Sequence, residues 1–181
     1  MNCRNEGKLI SNAINSVLNQ TYNNLELIIW DDASSDNTIE TIEGFKDNRI
    51  TVFKNKNHLG LGPSRCKAQK KINGDFVAIL DADDEMKPNR IEKQLEKFKM
   101  DEKLALLGSN VTFKNAEGKI AINKQSDDLI SFYNDISWVF KLEIFNYTNI
   151  FLYNIYYRLY HTSNNFLVDP LCLPNINYDY F

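Results

Sequence analysis

The stretch Phe76-Val77-Ala78-Ile79-Leu80-Asp81-Ala82-Asp83-Asp84 limits most tightly how this chain folds. An apolar run rich in β-branched and aromatic residues stops at three carboxylates in four residues, with Pro88 shortly after and a helix-like stretch beyond. That pattern predicts a buried strand that delivers acid to its end. Carboxylates crowded together repel one another, and a cation is the usual partner that offsets their charge. Hard oxygen ligands suit Mg2+ or Mn2+, and a carboxylate site that leaves metal positions open commonly shares the ion with a phosphate.

The rest of the first hundred residues repeats the theme. Leu9, Ile10, Ala13, Ile14, Val17 and Leu18 fall at helical spacing and predict a first helix to about Gln20. Leu25 to Trp30 reads as a strand, and it too ends in acid, at Asp31-Asp32. Ile39, Ile42 and Phe45 mark a second helix, Ile50 to Phe53 a strand, and a third helix runs to about Ile72 with Asn73-Gly74 as its stop. The loop Asn55 to Arg65 carries two glycines that allow close backbone approach and an arginine able to fork onto a phosphate or a base edge. Ile91, Leu95 and Phe98 mark a fourth helix, Leu104 to Gly108 a strand, and Val111-Thr112-Phe113 with a turn near Asn115 to Gly118 a hairpin. From Asp127 onward periodicity is weak. Strands alternating with helices imply an α/β fold with a mostly parallel sheet between helices, which binds ligands beyond the carboxyl ends of its strands.

A length of 181 residues fits one domain, 1–181, with no internal boundary. Its net charge of −3 supplies no basic surplus, so nucleic acid is not an expected partner. Cys3, Cys66 and Cys172 are odd in number and widely scattered; they argue against a disulfide framework and a zinc site and for a reducing, cytoplasmic setting. Cys66 reads as a small half-buried hydrophobe. The opening residues Met1 to Gly7 are polar and lack the apolar segment of a secretory signal, and no window is apolar enough to span a bilayer. The aromatic stretch Phe145 to Tyr160 comes nearest. Core plus half-buried surface is favoured there over peripheral contact with the cytoplasmic membrane face.

These motifs, taken together, resemble family 2 glycosyltransferases of the GT-A, Rossmann-like fold. The resemblance rests on Ser16-Val17-Leu18-Asn19-Gln20-Thr21-Tyr22, Leu25 to Thr38 with its Asp31-Asp32, Asn57-His58-Leu59-Gly60 with Ser64-Arg65, and Leu80-Asp81-Ala82-Asp83-Asp84. It covers roughly the first hundred residues, in order and at consistent spacing. It implies that Asp32 recognises the base of a nucleotide-sugar, usually uridine, and that Asp31 lines the same pocket. Arg65 is then the arginine near the nucleotide and its phosphates, and Asn5 and Glu6 the Asn-Glu pair after the first strand. Asp81 and Asp83 form the DxD pair, Asp81 near the ribose and both placed with the metal, which Asp83 holds against the diphosphate. The implied activity is metal-assisted, inverting transfer of a sugar from a nucleoside-diphosphate donor, UDP-sugar foremost, to a glycan or lipid-linked acceptor in polysaccharide biosynthesis. The implied partition is a nucleotide-binding part, 1–113, and a divergent acceptor-side part, 114–181.

The chain departs from the family pattern in three places. It starts at Met1 just after the place of the family's first, central strand; Cys66 stands where Asn commonly follows the arginine; and it stops at Phe181, short of a full catalytic domain. The usual Glu-Asp pair of the catalytic base is absent from the last third. Asp169 and Asp179 are the candidates, with Asp127, Asp128 and Asp135 still open. The competing reading is a truncated relative that keeps the scaffold as a binding or partner module without activity. Acids at alternate positions from Asp81 also approach a calcium loop, but Met86 stands where that loop needs glycine. A phosphoacceptor receiver would want a lysine at a later strand end, and none is well placed. His58 lacks a second metal ligand at useful spacing and reads as a surface or hydrogen-bonding residue.

Overall fold

The computed structural model describes residues 1–102, 104 and 106–109, and the strands at 112–114, 120–123 and 137–141 as backbone. Strand β1 (Asn2–Cys3) leads through Asn5 and Glu6 into helix α1 (Ile10–Leu18), then β2 (Leu27–Asp31), α2 (Thr38–Glu43), β3 (Ile50–Lys54) and α3 (Leu61–Gln69). Strand β4 (Phe76–Ala78), α4 (Arg90–Met100), β5 (Leu106–Ser109), β6 (Thr112–Lys114), β7 (Ile120–Asn123) and β8 (Ser137–Lys141) follow.

β1, β2 and β3 form a parallel sheet in that order, with Asn2 opposite Trp30 and Ile29 opposite Val52. A two-residue parallel strand thus precedes Asn5 and Glu6. Alternation along β2 sends Leu27 and Ile29 to one face, where they join Cys3, Ile10, Ala13, Ile14, Val17 and Ile42 in the core. Trp30 points to the opposite face and stacks on Phe53 at 5.1 Å, with the Lys71 ammonium over the Phe53 ring. α3 packs against β1 and β2. The expected layering of the sheet between helices is thus present.

The second sheet differs from expectation. β8 lies between β4 and β5 and runs antiparallel to both, with Val77 opposite Phe140 and Gly108 opposite Trp138. Nothing in the weak periodicity after Asp127 announces this strand. β4 ends at Ala78, two residues before the apolar run does, because its register with β8 ends there. The expected hairpin is β6 paired with β7. In α4 the buried stripe is Arg90, Gln94 and Phe98 rather than Ile91, Leu95 and Phe98. The two polar side chains are buried because each reaches a backbone carbonyl: the Arg90 guanidinium approaches that of Ile79, just past β4, and Gln94 Nε2 donates to that of Leu107 in β5 at 3.3 Å. Leu9, expected on the buried face of α1, is exposed ahead of the helix.

Cys3 is a free, buried thiol. Cys66 is half-buried, as expected. No helix among the described residues is long and apolar enough to cross a membrane.

Candidate functional site

Asp31 is the last residue of β2 and Asp32 the next, so alternation sends their side chains to opposite faces. Asp31 turns toward the core side, where its carboxylate accepts from the Ser34 N–H at 3.1 Å and the Ser34 hydroxyl, with the Cys3 thiol at 3.8 Å. These bonds fold the loop back on the strand end. Burial and the neighbouring Asp31 charge push the Cys3 thiol up to about 12.

Asp32 faces the α3 side. Its Oδ1 accepts from Asn55 Nδ2 at 2.7 Å and the Leu59 N–H at 2.9 Å; its Oδ2 accepts from the Gly60 N–H at 2.8 Å and lies 2.7 Å from His58 Nδ1. A carboxylate offers about four acceptor positions, and all are occupied. Burial pushes this carboxyl up, but the bonds from Leu59, Asn55, Gly60 and His58 outweigh it and hold Asp32 below the ordinary range. The side chain is 6% exposed and that of His58 49%. His58 is thus the hydrogen-bonding residue its sequence context suggests, oriented by a carboxylate and open to solvent. Gly60, at φ 93°, occupies backbone space that a side chain disfavours, and this lets its N–H reach Asp32 as α3 begins.

The network continues to the second acidic cluster. Asn55 Nδ2 also donates to the buried Ser64 hydroxyl at 3.0 Å, and Asn55 Oδ1 accepts from Lys67 Nζ at 3.0 Å. Arg65, next to Ser64 on α3, donates from Nη2 to Asp81 Oδ1 at 2.6 Å. Asp32, Arg65 and Asp81 are therefore linked across the ends of β2 and β3 and the turn after β4. Asp83 is exposed and makes no hydrogen bond among the described residues. Partial burial, then the charges of Asp83 and Asp36, push Glu6 up, which puts Glu6 and Asp83 within each other's field. Burial and the charges of Asp83 and Asp81 likewise push Asp84 up, with Arg90 pulling the other way.

Asn5 sits at φ 58°, a backbone region Asn tolerates, and its Oδ1 accepts from the Ser35 N–H at 2.9 Å. The Glu6 N–H donates to Thr38 Oγ1 at 2.8 Å and its carbonyl receives the first N–H groups of α1. Both residues tie the end of β1 to the loop after β2. Asp127, Asp128, Asp135, Asp169 and Asp179 lie outside the described residues.

No three His, Cys, Asp or Glu side chains converge as a metal-binding group among the described residues. Mg2+-type ions are held by one or two carboxylates, with water and substrate phosphate completing the shell. Asp81 and Asp83 fit that shared arrangement in donor chemistry and number: hard oxygens, exposed, beside a guanidinium that suits phosphate. Sequence reasoning missed two further groups of residues. Asn55 joins the two acidic strand ends, and Gln20 and Ser16 hold the acidic turn; the Ser16 to Tyr22 motif is the only sequence signal for the latter.

The fold is of the GT-A type. S. aureus TarS 1-349 superposes with a TM-score of 0.67 at 18% identity, over 82% of this chain and 48% of that one, and TarS 1-349 is also known in complex with UDP-GlcNAc. The mannosyltransferase PcManGT from Pyrobaculum calidifontis, in complex with GDP-Man and Mn2+, matches with a TM-score of 0.60 at 19% identity, over 81% of this chain and 44% of that one. The family model Glycosyl transferase family 2 matches residues 1–165, and the chain belongs to that family. Among its relatives, the Escherichia coli UDP-Glc:alpha-D-GlcNAc-diphosphoundecaprenol beta-1,3-glucosyltransferase WfgD is 38% identical over 114 residues, 63% of this chain and 42% of the relative. An uncharacterized glycosyltransferase from Haemophilus influenzae is 32% identical over 161 residues, 84% of this chain and 50% of the relative. The chain spans about half or less of the length of these relatives.

Proposed function

We propose that this chain is the donor-binding part of a glycosyltransferase that takes a UDP-sugar and passes the sugar, with inversion, to a glycan or lipid-linked acceptor. The observation that carries the reading is the linked set Asp32–Asn55–Ser64 with Arg65–Asp81, which gathers base-reading and phosphate-reading chemistry at one rim of the sheet. WfgD, with a UDP-glucose donor and a diphosphoundecaprenol acceptor in its name, and TarS with UDP-GlcNAc support the donor and acceptor classes.

In this reading Asp32 holds the 58–60 loop against the base, and the half-exposed His58 is the partner that an incoming base N–H would replace most readily. Arg65 pairs with phosphate and is kept in place by Asp81. A divalent ion, Mn2+ or Mg2+, would be held by Asp83 with Asp81 and would stabilise negative charge on the departing diphosphate. The acceptor hydroxyl needs a base on the opposite face of the sugar, and Asp169 and Asp179 remain the candidates. The division into 1–113 for the donor and 114–181 for the acceptor and a cytoplasmic location belong to the same proposal.

Calorimetry tests it. UDP should bind the chain more tightly with Mn2+ than without, and Asp83→Ala should remove the metal-dependent part. Binding that gains from Mn2+ as strongly in the variant would defeat the metal role. No UDP binding by the unaltered chain would defeat the donor reading.

A further inference from the structure

The acidic turn has little to hold it from within. Between Ala78 and α4, the backbone bonds that the turn makes to itself are Asp84 N–H to the Asp81 carbonyl at 3.2 Å and Arg90 N–H to the Lys87 carbonyl at 3.0 Å. Asp81, Asp83 and Asp84 meanwhile repel one another. The order of the turn comes from α1. Gln20, 3% exposed just past the end of that helix, donates from Nε2 to the Ser16 carbonyl at 3.0 Å and the Lys87 carbonyl at 2.9 Å, and accepts at Oε1 from the Ile91 N–H at 3.1 Å. One amide thus grips both sides of the entry to α4. Four residues earlier, on the same face of α1, the Ser16 hydroxyl donates to the Ala13 carbonyl at 2.7 Å and accepts from the Met86 N–H at 3.0 Å. The Thr21 N–H adds a bond to the Pro88 carbonyl at 2.9 Å. Beneath these bonds Leu80, Ala82 and Met86 are buried in the core, so alternate residues of the turn are pinned and Asp81 and Asp83 are left facing out.

We infer that Gln20, seconded by Ser16, is a positioning residue for the acidic turn: it sets the backbone from Met86 to Ile91 so that Asp83 meets a divalent ion and its diphosphate in one fixed place. The inference rests on the donor-and-metal reading above and adds to it residues that touch neither nucleotide nor ion. A residue that only stabilised the α1–α4 contact would weaken all ligand binding alike; a positioning residue weakens the share that depends on the metal.

Gln20→Met keeps the side chain's length and removes its three hydrogen bonds, and Ser16→Ala removes one bond with less risk to folding. Each is compared with the unaltered chain for UDP affinity without metal, UDP affinity at saturating Mn2+, and amide exchange at Met86 and Ile91 without ligand. In Gln20→Met the tightening of UDP by Mn2+ should fall about ten-fold, the scale on which outer partners of metal ligands act. Metal-free UDP affinity should stay within about two-fold, as expected for an unaltered contact set, and exchange at both amides should speed up. Ser16→Ala should show the same pattern, smaller and centred on Met86, and decides the matter if Gln20→Met does not fold. An unchanged Mn2+ effect in the folded variants, or an equal loss with and without metal, overturns the positioning role and leaves the donor reading standing. An unaltered chain that binds UDP with no gain from Mn2+ overturns the metal reading and this inference together.

Discussion

The two acidic strand ends of this molecule are built in opposite ways. At the end of β2 every acceptor position of Asp32 is filled by the protein, and Asp31 is folded against Ser34. In the turn after β4, Asp81 meets Arg65, Asp83 has no hydrogen-bond partner among the described residues, and the order of the backbone is supplied from α1. The first is an anchor whose carboxylate holds a loop; the second leaves the Asp83 carboxylate exposed. Similar strings of Asp in sequence therefore carry different duties, and the neighbours decide which.

Substitution should separate the two most sharply. Asp32→Ala leaves the part-buried N–H groups of Leu59 and Gly60 without their acceptor and Asn55 Nδ2 with Ser64 alone, and should cost about 3 kcal/mol of stability, since a stranded group costs about 1–3 kcal/mol. Asp83→Ala should change stability by no more than about 0.5 kcal/mol, as for an exposed side chain outside any network. Urea unfolding of both variants makes the comparison, and equal losses would erase the distinction between the two ends.

Acid should find the same asymmetry. The folded-state pKa of Asp32 is depressed, so its contribution is complete above the unfolded carboxyl value of about 3.9 and disappears as pH falls through the lower folded value. Stability measured from pH 6 downward should drop through that window, and Asp32→Ala should lack this part of the drop. A smaller effect concerns the loop that Asp31 folds. Ala33 sits at φ 58°, where a side chain costs about 1 kcal/mol, and Ala33→Gly should return up to about that amount as a higher unfolding midpoint. Least affected of all should be Cys3, whose buried thiol should resist iodoacetamide in the folded chain and react on unfolding, as peptide mass spectrometry would show.

Alternation of strands and helices was legible because it is written in local periodicity, and α1 to β5 follow it. β8 was not legible, since Ser137 to Lys141 gain their place from partners far back in the chain at Phe76 to Ala78. Arg90, Gln94 and Gln20 escaped for a related reason: a hydropathy pattern counts them as surface, yet each is buried with a distant backbone carbonyl in reach of its side chain. The carboxylates of the site could be picked out by position, while the filling of Asp32 by Asn55, His58, Leu59 and Gly60 depends on how two loops close.

The insertion of β8 between β4 and β5 also bears on the order in which the molecule is assembled. β1 to β3 complete their sheet from nearby segments and can close while the ribosome is still at work. β4 stays without its sheet partner until residues 137–141 have been made. During synthesis the strands flanking the acidic turn are thus the late-maturing part of the molecule, and the β4 edge stays exposed until β8 joins it.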